Sequence, residues 1–164
     1  MKKLLFLAFI GFLFFGCQSG TTQKNHIVLN DTKPLKTFFS PKDKSIKTDD
    51  NSSTLLFFFT TTCGACKEAI PYLNSLHVKY PNIQIVGILG ESRGFDKDLN
   101  LLEKYKIDFK VISDIKSVDY FSKAVGGIYG VPIFYFYDKD GKQTDRLLGL
   151  VPQNTLENSI KKTI

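Results

Sequence analysis

Cysteine and histidine are scarce in this chain. Three cysteines and two histidines among 164 residues fall short of the roughly four ligands, usually arranged as two pairs, that a structural zinc site takes. Apart from Cys17 near the N-terminus, only His26 and His77 are available beside Cys63 and Cys66, so neither a metal nor a cofactor is expected. Clustered charge is missing as well. The formal net charge is +6, but the lysines are scattered singly, which describes a solvated surface and excludes a nucleic-acid patch. There is no internal repeat and no second domain. With the N-terminal region set aside, about 130 residues remain, enough for one domain with a real core.

What is present is one concentrated motif, Thr60-Thr61-Thr62-Cys63-Gly64-Ala65-Cys66-Lys67. It follows the unbroken apolar run Leu55 to Phe59 and precedes a segment with helical spacing, so the cysteines sit where a buried strand hands over to a helix. On a helix, side chains three apart share a face, with Cβ atoms about 5 to 6 Å apart, close enough for a disulfide. Cys63 is expected in the first turn, where free N–H groups and the helix dipole favour a thiolate. A purely structural bridge is the weaker reading, because a ring this small restrains little chain entropy.

Met1-Lys2-Lys3 and the apolar run Leu4 to Phe15 have the charged and hydrophobic regions of a secretory signal, assigned to residues 1–16 and too short to span a membrane comfortably. The junction Leu13-Phe14-Phe15-Gly16-Cys17 resembles the lipobox of bacterial lipoproteins, which implies lipid attachment at Cys17; an uncleaved N-terminal anchor is the alternative. If Cys17 carries lipid, the odd cysteine of an exported chain is accounted for and Cys63 pairs with Cys66. Gln18 to Asp31 is polar without hydrophobic period, so residues 17–33 are expected to be a flexible linker, with His26 solvated. The folded domain is expected over 34–164.

Within it, Leu35 to Ser40 and Ser45 to Thr48 read as a short hairpin. Leu55 to Thr60 and Ile83 to Leu89 lack polar alternation, as strands covered on both faces do. The helical stretch from Cys63 to about Tyr80 between them, interrupted by Pro71, which should kink it, makes them a parallel pair. A helix near Asp96 to Lys106, a strand near Phe109 to Ser113 and a helix near Ser117 to Val125 follow. Ile133 to Tyr137 then turns at Asp138-Lys139-Asp140-Gly141 into a strand near Thr144 to Leu148. A closing helix is expected to begin with an Asn154 and Glu157 capping box and to bury Leu156, Ile160 and Ile164 on one face.

From Leu55 to Ile164 this pattern resembles the thioredoxin family, and within it the membrane-tethered extracytoplasmic thiol:disulfide oxidoreductases of the TlpA/ResA type. The residues that carry the resemblance are Cys63-Gly64-Ala65-Cys66 after a buried strand, Pro71 five positions beyond the second cysteine, and Gly130-Val131-Pro132 before a strand and an Asp-Gly hairpin. It implies an α/β thioredoxin-like fold: a central mixed sheet flanked by helices, with an added strand and helix between Phe95 and Val125. It also implies a cis peptide bond at Pro132, facing the disulfide. Thr62, Val131 and Pro132 would then shape the groove where a substrate backbone pairs.

The chain departs from that pattern at three places. Thr62 stands where the family usually has tryptophan, and its hydroxyl is expected to cap the helix. Phe57 replaces the buried acid of cytoplasmic thioredoxins, six residues before the first cysteine. Ala69 replaces the glutamate of the exported branch, leaving Glu68, about 100° around the helix, as the candidate for tuning Cys66, while His77 reads as a surface residue.

The expected chemistry is attack by a Cys63 thiolate on a substrate disulfide and resolution by Cys66. The resemblance implies the reductive direction, acting on disulfides of exported proteins, with apocytochrome c as one substrate class. Its implied setting is the periplasmic side of a bacterial membrane, with a membrane thiol donor and a monomeric state. A disulfide oxidase or isomerase is the alternative of the same class. A non-catalytic thioredoxin-like module binding metal or protein is the alternative of another.

Overall fold

The computed structural model of the chain describes residues 20–164. The expected signal, residues 1–16, and Cys17 lie outside the described residues. Five strands form one sheet in the order β6-β5-β4-β7-β8: β4 (Ser53–Thr60), β5 (Ile83–Gly90), β6 (Lys110–Ile112), β7 (Ile133–Tyr137) and β8 (Gln143–Leu148). β4, β5 and β6 run parallel, and β7 and β8 pair antiparallel, so the sheet is mixed. Helix α1 (Gly64–Lys79) crosses from β4 to β5 and runs unbroken through Pro71. Helices α2 (Phe95–Tyr105) and α3 (Ile115–Ala124) flank β6, and α4 (Gln153–Thr163) closes the chain.

The middle of β4, Leu55 to Phe59, is apolar throughout because both sheet faces are covered. Along β4, Leu55, Phe57 and Phe59 point into one cluster with Leu73, Leu76, Phe134, Leu156 and Ile160, under α1 and α4. Leu56 and Phe58 point the other way, into a cluster with Val86, Ile88, Phe121 and Tyr135, under α3. Period-two alternation is therefore preserved in space although every residue is apolar. At the β7–β8 turn, Gly141 adopts φ +79, and a Cβ there would meet the backbone of Ile46. Only glycine meets both demands.

Residues 17–33 were expected to be a linker, yet β1 (Thr22–His26) pairs antiparallel with β2 (Leu35–Ser40), which pairs in turn with β3 (Ser45–Thr48). Leu29 then donates its N–H to the Val111 carbonyl, and the Asn30 side chain bonds both Phe109 and Val111, covering the open edge of β6. Backbone pairing of this kind needs no apolar side chains, which is why a polar stretch without period could form it. The folded unit thus includes Thr22–His26, ahead of residue 34.

His26, expected in solvent, is fully buried. Its ring nitrogens lie 2.8 Å from the Ser117 and Thr37 hydroxyls, and the ring packs on Tyr120 and Phe121. Burial, helped by the Lys24 charge, lowers its pKa to about 4.

The capping box of α4 does not form: Pro152 is the N-cap and no side chain caps the helix. Glu157 instead accepts from Lys79, Tyr80 and Lys161 at 2.9, 2.6 and 3.0 Å, tying α4 to α1. Leu156 and Ile160 are buried as expected, and Ile164 is exposed.

Candidate redox site

The site forms where β4 ends. After Thr60 the chain turns through Thr61 and Thr62, and Cys63 is the N-cap of α1 rather than a residue of its first turn. At that position its Sγ accepts the N–H of Cys66 at 3.0 Å, which meets one of the unpaired donors at the helix start. Cys63 and Cys66 are joined in a disulfide with their Cα atoms 5.2 Å apart. Cys66, one turn inside, is fully buried in the cluster beneath α1, whereas Cys63 is half-buried.

The loop before β7 closes over the pair. The Val131–Pro132 peptide bond is cis, and the Val131 carbonyl oxygen lies 3.7 Å from Cys63 Sγ. From behind, the Gly149 N–H donates to the Pro132 carbonyl at 2.8 Å, fixing the loop to the end of β8. Pro132 itself is buried and Val131 half-buried. Beyond them, Tyr129 is 97% exposed and, with Gly130, Tyr135 and Leu148, lines a cavity of about 150 Å³.

Thr62 is exposed and does not cap α1, because Cys63 occupies the cap; its hydroxyl lies 3.4 Å from Thr60 Oγ1 and 3.5 Å from Glu91 Oε2. Glu68 is exposed, while Ala69 beside it is fully buried, so the helix turns that acid away from the core. Phe57 fills the position of the missing buried acid, stacked between Phe59 at 4.9 Å and Phe134 at 5.1 Å. His77 is half-buried on α1, with a buried Nδ1 that has no hydrogen-bond partner. Glu91 at the end of β5 was not anticipated here. The available signal was its position just after the strand beside β4, since parallel sheets gather their sites at the carboxyl ends of their strands.

Among the described residues no group of three or more histidine, cysteine or acidic side chains is arranged to hold a metal. No helix there is long and apolar enough to cross a membrane. What the arrangement can do is exchange electrons: an accessible sulfur at a helix N-terminus, a buried partner sulfur, and a backbone carbonyl at its side.

No family model matches the chain. It is similar to the thiol-disulfide oxidoreductase ResA of Bacillus thuringiensis (strain Al Hakam), 27% identical over 106 residues, covering 62% of this chain and 58% of that protein. The chain thus matches less than two thirds of that relative's length. Among solved structures it resembles a thiol:disulfide interchange protein of the thioredoxin family from Chlorobium tepidum TLS, with TM-score 0.67 and 17% identity, covering 88% of this chain and 95% of that one. StoA from Bacillus subtilis superimposes with TM-score 0.66 and 15% identity, covering 87% and 98%.

Proposed function

We propose that this chain, a protein of the thioredoxin-like family, is a thiol-disulfide oxidoreductase of the ResA type that reduces disulfides in exported proteins. The observation that carries the reading is the Cys63–Cys66 disulfide at the β4–α1 junction, with its accessible sulfur facing the Val131 carbonyl. The similarity to a protein named as such an enzyme supports it.

In the reaction, the Cys63 thiolate attacks one sulfur of a substrate disulfide and expels the other as a thiolate, which takes up a proton. Cys66 then loses its proton and attacks Cys63, releasing the second substrate thiol and closing the intramolecular disulfide. Two electrons pass to the substrate, and a membrane thiol donor returns two to the pair. Thr62, Val131 and Pro132 border the groove that takes the substrate backbone. Lipid at Cys17 holds the protein at the periplasmic face of a bacterial membrane, and apocytochrome c is one substrate class that this setting offers.

A Cys66→Ala variant tests the reading, since it leaves the mixed disulfide on Cys63 unresolved. Expressed in the cells that make the protein, it should carry partners that dithiothreitol releases and mass spectrometry identifies. An equal yield of the same partners from Cys63→Ala would overturn it.

A further inference from the structure

β5 ends abruptly beside the redox site. Gly90 pairs with Thr60 at the last rung of the β4–β5 ladder, and Glu91 then adopts φ +58, a left-handed conformation uncommon for a residue with a side chain. The turn is anchored from behind. Asp98, only 1% exposed near the start of α2, accepts the Ser92 hydroxyl and, at 3.0 Å, the Arg93 N–H. Ser92 Oγ in turn accepts the Gly94 N–H at 3.3 Å. A buried carboxylate is expensive to leave unpaired, so these bonds hold the turn in one shape. That shape sends Glu91 back over the sheet end, where its Oε2 accepts the Thr62 hydroxyl at 3.5 Å. Thr62 is the covalent neighbour of Cys63.

We propose that Glu91 is the acid that sets the acidity of Cys63, a positioning residue held in place by Thr62 and by the Asp98 anchor. The two acids that the fold could have used are gone: Phe57 fills one place with an aromatic ring and Ala69 the other with a methyl group. Glu68 is exposed on α1, and Lys67 beside it lies over the Tyr105 ring, 5.4 Å from the centroid. Arg93 is two residues beyond Glu91, and Asp119 lies across the groove that Glu91 lines, paired with Lys123 at 2.7 Å. A negative charge held on Thr62, one position from Cys63, works against the helix N-terminus, which favours the thiolate. It raises the thiol pKa and weakens the reduced form relative to the disulfide, so the couple becomes a better reductant. In this arrangement Thr62 serves Glu91 and not the helix, and Thr62→Val should lower the Cys63 pKa by freeing the carboxylate, opposite to the effect of losing a cap.

This inference rests on the redox function proposed above, but its first readout does not need turnover. The full chain is reduced with dithiothreitol, freed of it, and the rate of Cys63 alkylation by iodoacetamide is followed against pH for the wild type, Glu91→Gln, Glu68→Gln and Thr62→Val. Glu91→Gln should lower the Cys63 pKa by about half to one unit, a threefold to tenfold change. Thr62→Val should move it the same way by less. Repeating the titration in about 1 M salt should shrink the difference between wild type and Glu91→Gln, since salt screens a charge but not a packing contact.

The second readout is the equilibrium with glutathione at pH 9, where the thiolate is the reduced form. Two glutathione thiols give up two electrons and join as a disulfide while the Cys63–Cys66 bond opens. A tenfold change in that constant corresponds to about 30 mV, so Glu91→Gln should raise the potential by about 15 to 30 mV. An unchanged or higher Cys63 pKa in Glu91→Gln, or a shift seen in Glu68→Gln instead, would overturn the assignment. Failure of the wild-type pair to exchange with glutathione would sink the redox function itself, while the alkylation titration would still report on the charge.

Discussion

The sulfur of Cys63 lies 3.7 Å from the carbonyl oxygen of Val131, and on its other side it receives the N–H of Cys66 at 3.0 Å. One contact comes from a loop 68 positions away and the other from the same helical turn. Cys63 is thereby held with its sulfur partly open, while Cys66 is closed off beneath α1.

Acidity should follow this asymmetry. In the reduced protein the N–H of Cys66 and the helix terminus act on Cys63, whereas burial disfavours ionisation of Cys66. One equivalent of an alkylating reagent near neutral pH should therefore modify Cys63 almost alone, and Cys66 only on unfolding. Mass mapping after limited alkylation checks this; equal labelling of the two would contradict the cap position of Cys63.

Phe57 takes the place of an acid and is expected to serve stability alone. It is fully buried, stacked on Phe59 and Phe134 and edge-on to Phe109 at 6.3 Å. Phe57→Ala should cost about 3 to 5 kcal/mol through lost burial and the cavity left behind, read as a lower urea midpoint. The same variant should leave the order of alkylation of the two cysteines unchanged as long as it stays folded.

His26 should make the N-terminal strand sensitive to acid. Its pKa falls from 6.5 in the unfolded chain to about 4 in the folded one, mainly because burial penalises the charged ring. Between those values the unfolded state binds more protons, so this contribution is intact above pH 6.5 and is lost as the pH drops toward 4. The loss is on the order of 3 kcal/mol. Urea unfolding measured from pH 7 to pH 4 should show it, and His26→Gln should flatten that slope; an identical slope in the variant would assign the acid sensitivity to other groups.

Much of the fold was legible in the chain itself, because it is written in local patterns. The stretches Leu55 to Phe59 and Ile83 to Leu89, which lack polar alternation, indicated strands covered on both faces, and the helical spacing between them indicated a parallel crossover. The turn Asp138 to Gly141 specified its hairpin through glycine and aspartate chemistry. The two cysteines, three apart at a strand-to-helix junction, likewise indicated the disulfide pair. Tertiary structure decided what depends on distant partners. Thr22 to His26 became a strand because β2 offered unpaired backbone groups, a force that no side-chain pattern records. His26 was buried because Ser117 and Thr37, far apart in sequence, converge on its ring nitrogens. Glu157 left its own helix terminus for Lys79 and Tyr80. Glu91, one of many surface acids when read along the chain, reaches Thr62 at the head of α1 from a turn that the buried Asp98 fixes.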